Sequence, residues 1–310
     1  MGAVGLLLLI VFQTAAQSWG NEGHVAINRA AAQRIPKDMP QFLRKAAGRI
    51  AYLGPEPDRW REKSELALKA AQEPDHYIDL ERVADFREFP PTRYEFYRKL
   101  YEKRAAAKDH ADDYLPERVG LQPYATMEIY GRLKVAFREY RRLKAEHKST
   151  AAAEQNAIYY AGWLGHYVAD AANPLHTTIH HNGWIGDNPN GYTTSKDLHW
   201  KFEGQFVQRN LARLQFMDLV TPPVRLQDPF GDYVRYLRDS FGLVERVYQI
   251  EKAGGLEGAG TPEAREFVRQ RLAAGSQMLL NLWYTAWLES AVPVQPPAAA
   301  PKPAPVSSGS

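Results

Sequence analysis

Between residues 19 and 292 apolar side chains recur at steps of three and four, the repeat of a helix with one buried face. The pattern predicts helices over 21–35, 60–72, 91–108, 124–147, 151–172, 199–218, 229–251 and 262–290. In the fifth segment the repeat runs through Ile158, Ala161, Gly162, Gly165, Val168 and Ala169. Strict apolar–polar alternation rich in β-branched residues is scarce, so strands are not expected. The punctuation is Gly54-Pro55-Glu56-Pro57, Pro90-Pro91, Pro222-Pro223 and Gly254-Gly255. Residues 177–198 are polar and contain Asn182-Gly183 and Asn188-Pro189-Asn190-Gly191. They read as a long loop, and long loops in compact domains often carry function. The expected fold class is all-α, a multi-helix domain over 19–292, with no internal repeat.

The two ends differ from the rest. Leu6–Phe12 is an apolar run followed by the small residues Thr14, Ala15, Ala16 and Ser18, the pattern of a secretory signal over 1–18 cleaved before Trp19. No Lys or Arg precedes the run, and it is far short of the roughly 20 residues of a membrane span. The expected destination is therefore the periplasm or outside medium, with no membrane span after cleavage. From Pro293 to Ser310 the chain is Pro-, Ala- and Ser-rich, which predicts a disordered tail.

Composition narrows the chemistry. A net charge of +3, from 39 basic and 36 acidic side chains, is too small to attract nucleic acid or membrane through bulk electrostatics. Any anionic substrate must be held locally, and no obligate protein partner is evident. The 310 residues contain no cysteine, which excludes disulfides and thiolate metal sites. A metal here would sit on histidine nitrogen and carboxylate oxygen, donors that zinc accepts.

Five of the nine histidines stand close to such carboxylates or beside turns. His166 and Asp170 are four apart, on one face of the 151–172 helix, and His199 and Glu203 repeat that spacing. Pro174 should end the first helix, so that His176 points elsewhere. Asp58 follows a proline-rich turn, where it reads alternatively as the N-cap of a helix near Trp60. His76 stands in Asp75-His76-Tyr77-Ile78-Asp79, and His24 near the expected mature start. Singly, each has a bland reading as a surface pair or packed core residue. Asp170, in an apolar helix, is the exception, because a buried carboxylate needs a partner or a metal. His110 and His147 read as solvated helix surface; His180 and His181 read first as polar surface, with facing a substrate as the alternative.

In order along the chain these pieces are familiar: Trp-Gly-x-x-Gly-His at 19–24, Pro-Asp-Arg-Trp-Arg at 57–61 and Asp-His-Tyr-Ile-Asp at 75–79. Gly-His-Tyr-Val-Ala-Asp-Ala-Ala-Asn-Pro-Leu-His at 165–176 and Leu-His-Trp-Lys-Phe-Glu at 198–203 follow. The chain resembles the superfamily of zinc-dependent phospholipases C and S-one/P-one single-strand nucleases. The resemblance implies a mainly α-helical domain with a cleft holding three zinc ions. Asp58, His76, His166 and Asp170 would bind the first. Asp170 would bridge to a second, held also by His24 and by the amino nitrogen and carbonyl oxygen of Trp19. His176, His199 and Glu203 would hold the third. A water near Asp58 and Asp170 would attack a phosphodiester, with Asp58 orienting it and Arg61 supporting the charged phosphate. The Trp19 amine exists only after cleavage, which ties processing to metal loading.

The ester is less defined. Nuclease relatives stack a base on the aromatic at the position of Tyr77 and bind its edge with a carboxylate at that of Asp79. The long 177–198 loop also suits a nuclease, with Trp184, Ile185 and Tyr192 as candidate contacts. Glu203 instead matches phospholipase C members. The expectation is a single-strand-preferring nuclease acting on DNA, RNA or a nucleotide; the alternatives are a phospholipase C and a non-catalytic helical zinc-binding protein.

Overall fold

The computed structural model describes residues 19–292; the signal and tail expectations lie outside the described residues. The α-helices in chain order are α1 (Gly20–Gln33), α2 (Gln41–Lys45), α3 (Ala47–Leu53), α4 (Glu56–Arg59) and α5 (Leu66–Gln72). Next come α6 (Arg93–Ala106), α7 (Pro116–Val119), α8 (Gln122–Ala145) and α9 (Ala151–Ala172). The last four are α10 (Val207–Asn210), α11 (Pro229–Phe241), α12 (Val244–Lys252) and α13 (Pro262–Glu289). The described residues contain no strand, so the all-α expectation holds. No helix among them is long and apolar enough to cross a membrane.

Helix α9 is the axis of the domain. It is apolar on nearly every side, as a helix surrounded by others must be, and packs on α8, α13, α3 and α1. Two glycines set the closest approaches. A Cβ at Gly165 would stand 1.8 Å from Asn28 Oδ1, and one at Gly162 would stand 2.4 Å from Leu53 Cβ. With no side chain in the way, Asn28 of α1 donates to the Ile50 and Gly162 carbonyls at 2.9 Å each. The last turns of α9 are gripped from several sides. Tyr167 O accepts from Gln122 and Tyr233, Val168 O from Tyr236, and Ala169 O from the Trp19 indole at 2.5 Å. Pro174 ends α9 as expected: the helix stops at Ala172, Asn173 is extended, and Pro174–His176 forms a short 3-10 turn.

Other expectations need correction. The 199–218 helix is a π-helical stretch, Trp200–Phe206, then α10 and short 3-10 turns. A Cβ at Gly204 would collide with the Trp200 ring, and this close packing accompanies the widened turn. The 229–251 helix breaks at Gly242-Leu243 into α11 and α12. Of 60–72, only 66–72 is helical. Asp58 does not cap a helix at Trp60, since it lies inside the four-residue α4. His110 and His147 are exposed as expected, but not helical. Both adopt a φ of 55°, the left-handed conformation that closes a helix or opens a turn.

Candidate metal centre

Four separate elements bring their polar side chains to the C-terminal end of α9. Asp170 is fully buried and its two oxygens face different partners. Oδ1 lies 3.4 Å from His24 Nε2 of α1. Oδ2 lies 3.2 Å from His76 Nδ1 and 3.3 Å from His166 Nε2. His166 Nε2 and His76 Nδ1 face each other at 2.9 Å, and Asp58 Oδ1 stands 3.9 Å from His76 Nδ1. A second group lies across the segment that pairs residues 76–80 with 176–177. There, Ile78 N donates to His176 O and Leu80 N to Thr177 O. In it, Glu203 Oε2 is 3.3 Å from His176 Nε2 and 3.0 Å from His199 Nε2, and the two imidazole nitrogens are 3.1 Å apart.

These separations test the donor set for a metal. Nitrogen and oxygen ligands at about 2.0–2.2 Å from a tetrahedral zinc stand roughly 3.3–3.6 Å from one another. Seven of the pairs above, at 2.9–3.4 Å, lie at or just inside that spacing, and Asp58–His76, at 3.9 Å, lies beyond it. Tautomers agree. His166 Nδ1 donates to Gly54 O at 2.9 Å and His176 Nδ1 donates to His76 O at 2.8 Å, so each ring presents an Nε2 lone pair inward. Asp58 Oδ2, His76 Nε2 and Glu203 Oε1 are buried without hydrogen-bond partners. Orphaned polar atoms are costly in a folded interior, and these three lie on the two groups just described. His/Asp/Glu trios with donor atoms mutually within 4.8 Å are His24–Asp58–His166, His76–His166–Asp170 and His176–His199–Glu203.

Electrostatics follow from the same contacts. Burial alone would raise the Asp170 carboxyl, but His166, His176, His24 and His76 overcome it and hold the group well below its ordinary value. Burial also opposes ionisation of Glu203; His199 and His176 outweigh it and bring Glu203 to about 2. Desolvation depresses His166 strongly and favours the neutral ring. At Asp58, burial dominates His76 and His24 and raises the carboxyl.

The remaining expected residues surround a cleft of about 350 Å³ that opens onto His76, His176, His199 and Glu203. Arg61 reaches Asp58 Oδ1 at 3.4 Å and Glu73 at 3.5 Å. Tyr77 is half-buried on the wall, its hydroxyl donating to Glu117 O. Asp79 also lines the cleft but is buried, with Oδ2 3.2 Å from Arg82 Nε. Trp19 is buried against Phe202, with its carbonyl accepting from Gly23 N and its indole tied to the residue before Asp170. Among the loop candidates, Tyr192 departs from expectation, because it is buried against Tyr248; Trp184 is half-buried between His180 and Tyr248, and Ile185 is exposed. His181 lines the cleft, in agreement with the alternative reading of it and against the surface one.

Sequence reasoning passed over two supports. Asn173 donates to Glu203 Oε2 at 2.6 Å while capping Leu175 N, and Gly54 supplies the carbonyl that fixes His166. An Asn directly before the helix-ending proline was the available signal for the first. A backbone carbonyl leaves none.

Asp79 gives a pH prediction. Burial raises its carboxyl to about 7, despite the Arg82 hydrogen bond and charge. The unfolded group titrates near ~3.9. Between about 4 and 7 the folded chain therefore holds a proton that the unfolded chain has released, so this group lowers stability as pH rises. Asp79→Asn removes the effect. In chelator-treated protein the Tm of the variant minus that of the wild type should grow across pH 4 to 7. A flat difference in the melting series would count against the burial argument.

No family model matches the chain, and no curated protein matches it. Among solved structures, its fold is similar to that of Clostridium perfringens alpha-toxin from an avian strain, at 14% identity and a TM-score of 0.44. It is similar also to the alpha toxin of Clostridium absonum, at 12% identity and a TM-score of 0.47. Each alignment covers 90% of this chain, which spans 65% of the first toxin and 67% of the second.

Proposed function

We propose that this chain is a zinc-dependent hydrolase of phosphodiester bonds. The observation that carries the reading is that the buried donor groups border an open cleft: His76, His176, His199 and Glu203 lie on its wall. A storage or structural zinc site closes its ions off, so this exposure favours catalysis over the non-catalytic reading. In the proposal Asp58, His76, His166 and Asp170 hold one ion, Asp170 shares a second with His24 and the freed Trp19 terminus, and His176, His199 and Glu203 hold a third. Zinc at such sites polarises phosphoryl oxygens and makes water a nucleophile near neutral pH. Asp58 directs a carboxylate oxygen toward the cluster and is placed to orient that water and take its proton. Arg61, beside Asp58, offers guanidinium donors to the charged phosphoryl oxygens.

For the ester, we place phospholipid headgroups first. The nuclease reading needs Asp79 to bind a base edge, yet Asp79 is buried against Arg82. Arg61 and Glu73, both on the cleft, bracket α5, which buries none of its residues and exposes Leu66 (71%) and Leu68 (41%). An exposed apolar pair on the helix between two cleft residues suits a lipid surface. The second reading, a single-strand nuclease, is favoured by Tyr77 beside Arg82 and Arg118 on the cleft wall, an aromatic–cationic pairing that suits stacked bases and backbone phosphates.

Hydrolysis of phosphatidylcholine, single-stranded DNA, RNA and a 3′-nucleotide, each with zinc and with chelator, tests the proposal. Zinc-dependent cleavage of a phosphodiester is expected, and inactivity on all of them would sink it. Leu66→Asp with Leu68→Asp should lower turnover of phosphatidylcholine vesicles at least about tenfold, equivalent to roughly 1.4 kcal/mol of lost surface binding. Turnover of soluble bis(p-nitrophenyl) phosphate should not change. Equal rates on vesicles for variant and wild type would speak for the nuclease.

A further inference from the structure

The geometry points to His181 as a specificity residue: it accepts a hydrogen bond from a hydroxyl group on the substrate, one or two carbons from the scissile ester. This rests on the hydrolase reading for the location of the ester, though not for its test.

His181 shares the cleft with the His176–His199–Glu203 group, its ring centre 6.2 Å from that of His199. Its Nδ1 lies 3.2 Å from the Thr178 carbonyl oxygen, so that nitrogen carries the proton and donates. In the neutral ring Nε2 then has a lone pair and no hydrogen. A phosphodiester monoanion has no proton to offer such an atom, so its partner must be an O–H or N–H elsewhere in the substrate. The short distance from His199 selects a group close to the phosphate rather than a distant base. The arginines of the wall, Arg61, Arg82 and Arg118, can only donate, and two of its carboxylates are already engaged, Glu73 by Arg61 and Asp79 by Arg82, which leaves His181 among the acceptors open to a hydroxyl.

The turn holding His181 is fixed. Glu81 accepts from the Thr178 hydroxyl and, at 3.1 Å, from Ile179 N. Thr178 Oγ1 accepts from His180 N at 3.1 Å, and the His180 ring stacks on Trp184 at 4.1 Å. Tyr248 donates its hydroxyl to His180 O. An acceptor held this firmly discriminates well, because a substrate lacking the hydroxyl leaves it unpaired.

Two chemistries carry such a hydroxyl: a polyol headgroup and the 2′ position of ribose. Calorimetric binding to the zinc-loaded protein distinguishes them, using glycerol 3-phosphate against propyl phosphate and 3′-UMP against its 2′-deoxy analogue. The wild type should prefer the hydroxylated member of at least one pair by about tenfold. His181→Leu should abolish that preference with zinc content unchanged, and His181→Gln, which restores an oxygen acceptor near the Nε2 position, should keep most of it. Absence of preference in the wild type for both pairs would overturn the assignment. So would a preference surviving in His181→Leu, or a loss of zinc from that variant, which would make His181 a ligand. A wild type with the preference but without hydrolysis would defeat the proposed function and leave this assignment standing.

Discussion

Asp170→Asn is expected to lose zinc and activity together, with kcat/KM falling on the order of a thousandfold or more. Supporting residues around metal ligands already cost ten- to a hundredfold when removed, and Asp170 stands at the centre. Its two oxygens face opposite ways, one toward His24 and the other toward His76 and His166. An amide keeps the shape but surrenders the charge, and its NH2 group would point a donor where a lone pair is needed. The central cluster should therefore empty, while the His176–His199–Glu203 group keeps its ion, because it uses separate donors. Zinc analysis by mass spectrometry beside steady-state kinetics checks this. Full activity with unaltered zinc in the variant would refute the assignment of Asp170.

Removing zinc from the wild type should also lower Tm by about 15 °C or more, reversibly. A ligand at a hundred times its Kd contributes about 2.7 kcal/mol, so three ions supply about 8 kcal/mol. In a domain of this size each kcal/mol is worth roughly 2–4 °C. The chemistry of the interior supports a large effect. Without a cation, imidazole nitrogens face one another at 2.9 and 3.1 Å, and Asp58 Oδ2 and Glu203 Oε1 are buried without hydrogen-bond partners. Scanning calorimetry with chelator, then with zinc restored, reads it. A Tm unmoved by chelation would mean that the side chains stabilise one another without metal.

The sequence was most informative where chemistry and periodicity coincide. The bounds of α9 were legible because apolar residues on all its faces and Pro174 beyond it admit one reading, and the four-residue spacing placed His166 beside Asp170. His199 and Glu203 met as expected although their helix is π rather than α. Apolar spacing does not resolve a widened turn, and one inserted position leaves neighbours four apart within reach. The alternative reading of Asp58 as a helix cap fails, since proline punctuation marks a break without showing the short helical turn inside it. For His181 the surface reading was put ahead of the cleft reading for a different reason. A histidine in a polar loop has the composition of surface, and its burial comes from a turn tied down by Glu81, about a hundred residues earlier. Tyr192 was misjudged likewise, since contacts with Tyr248 across the fold decide its burial.

The positions of cations in the zinc-loaded protein decide the central claim. An anomalous difference map collected at the zinc edge should show three peaks: one between His24 and Asp170, one amid Asp58, His76, His166 and Asp170, and one amid His176, His199 and Glu203. A map without density at these side chains, from protein prepared with zinc, would contradict it.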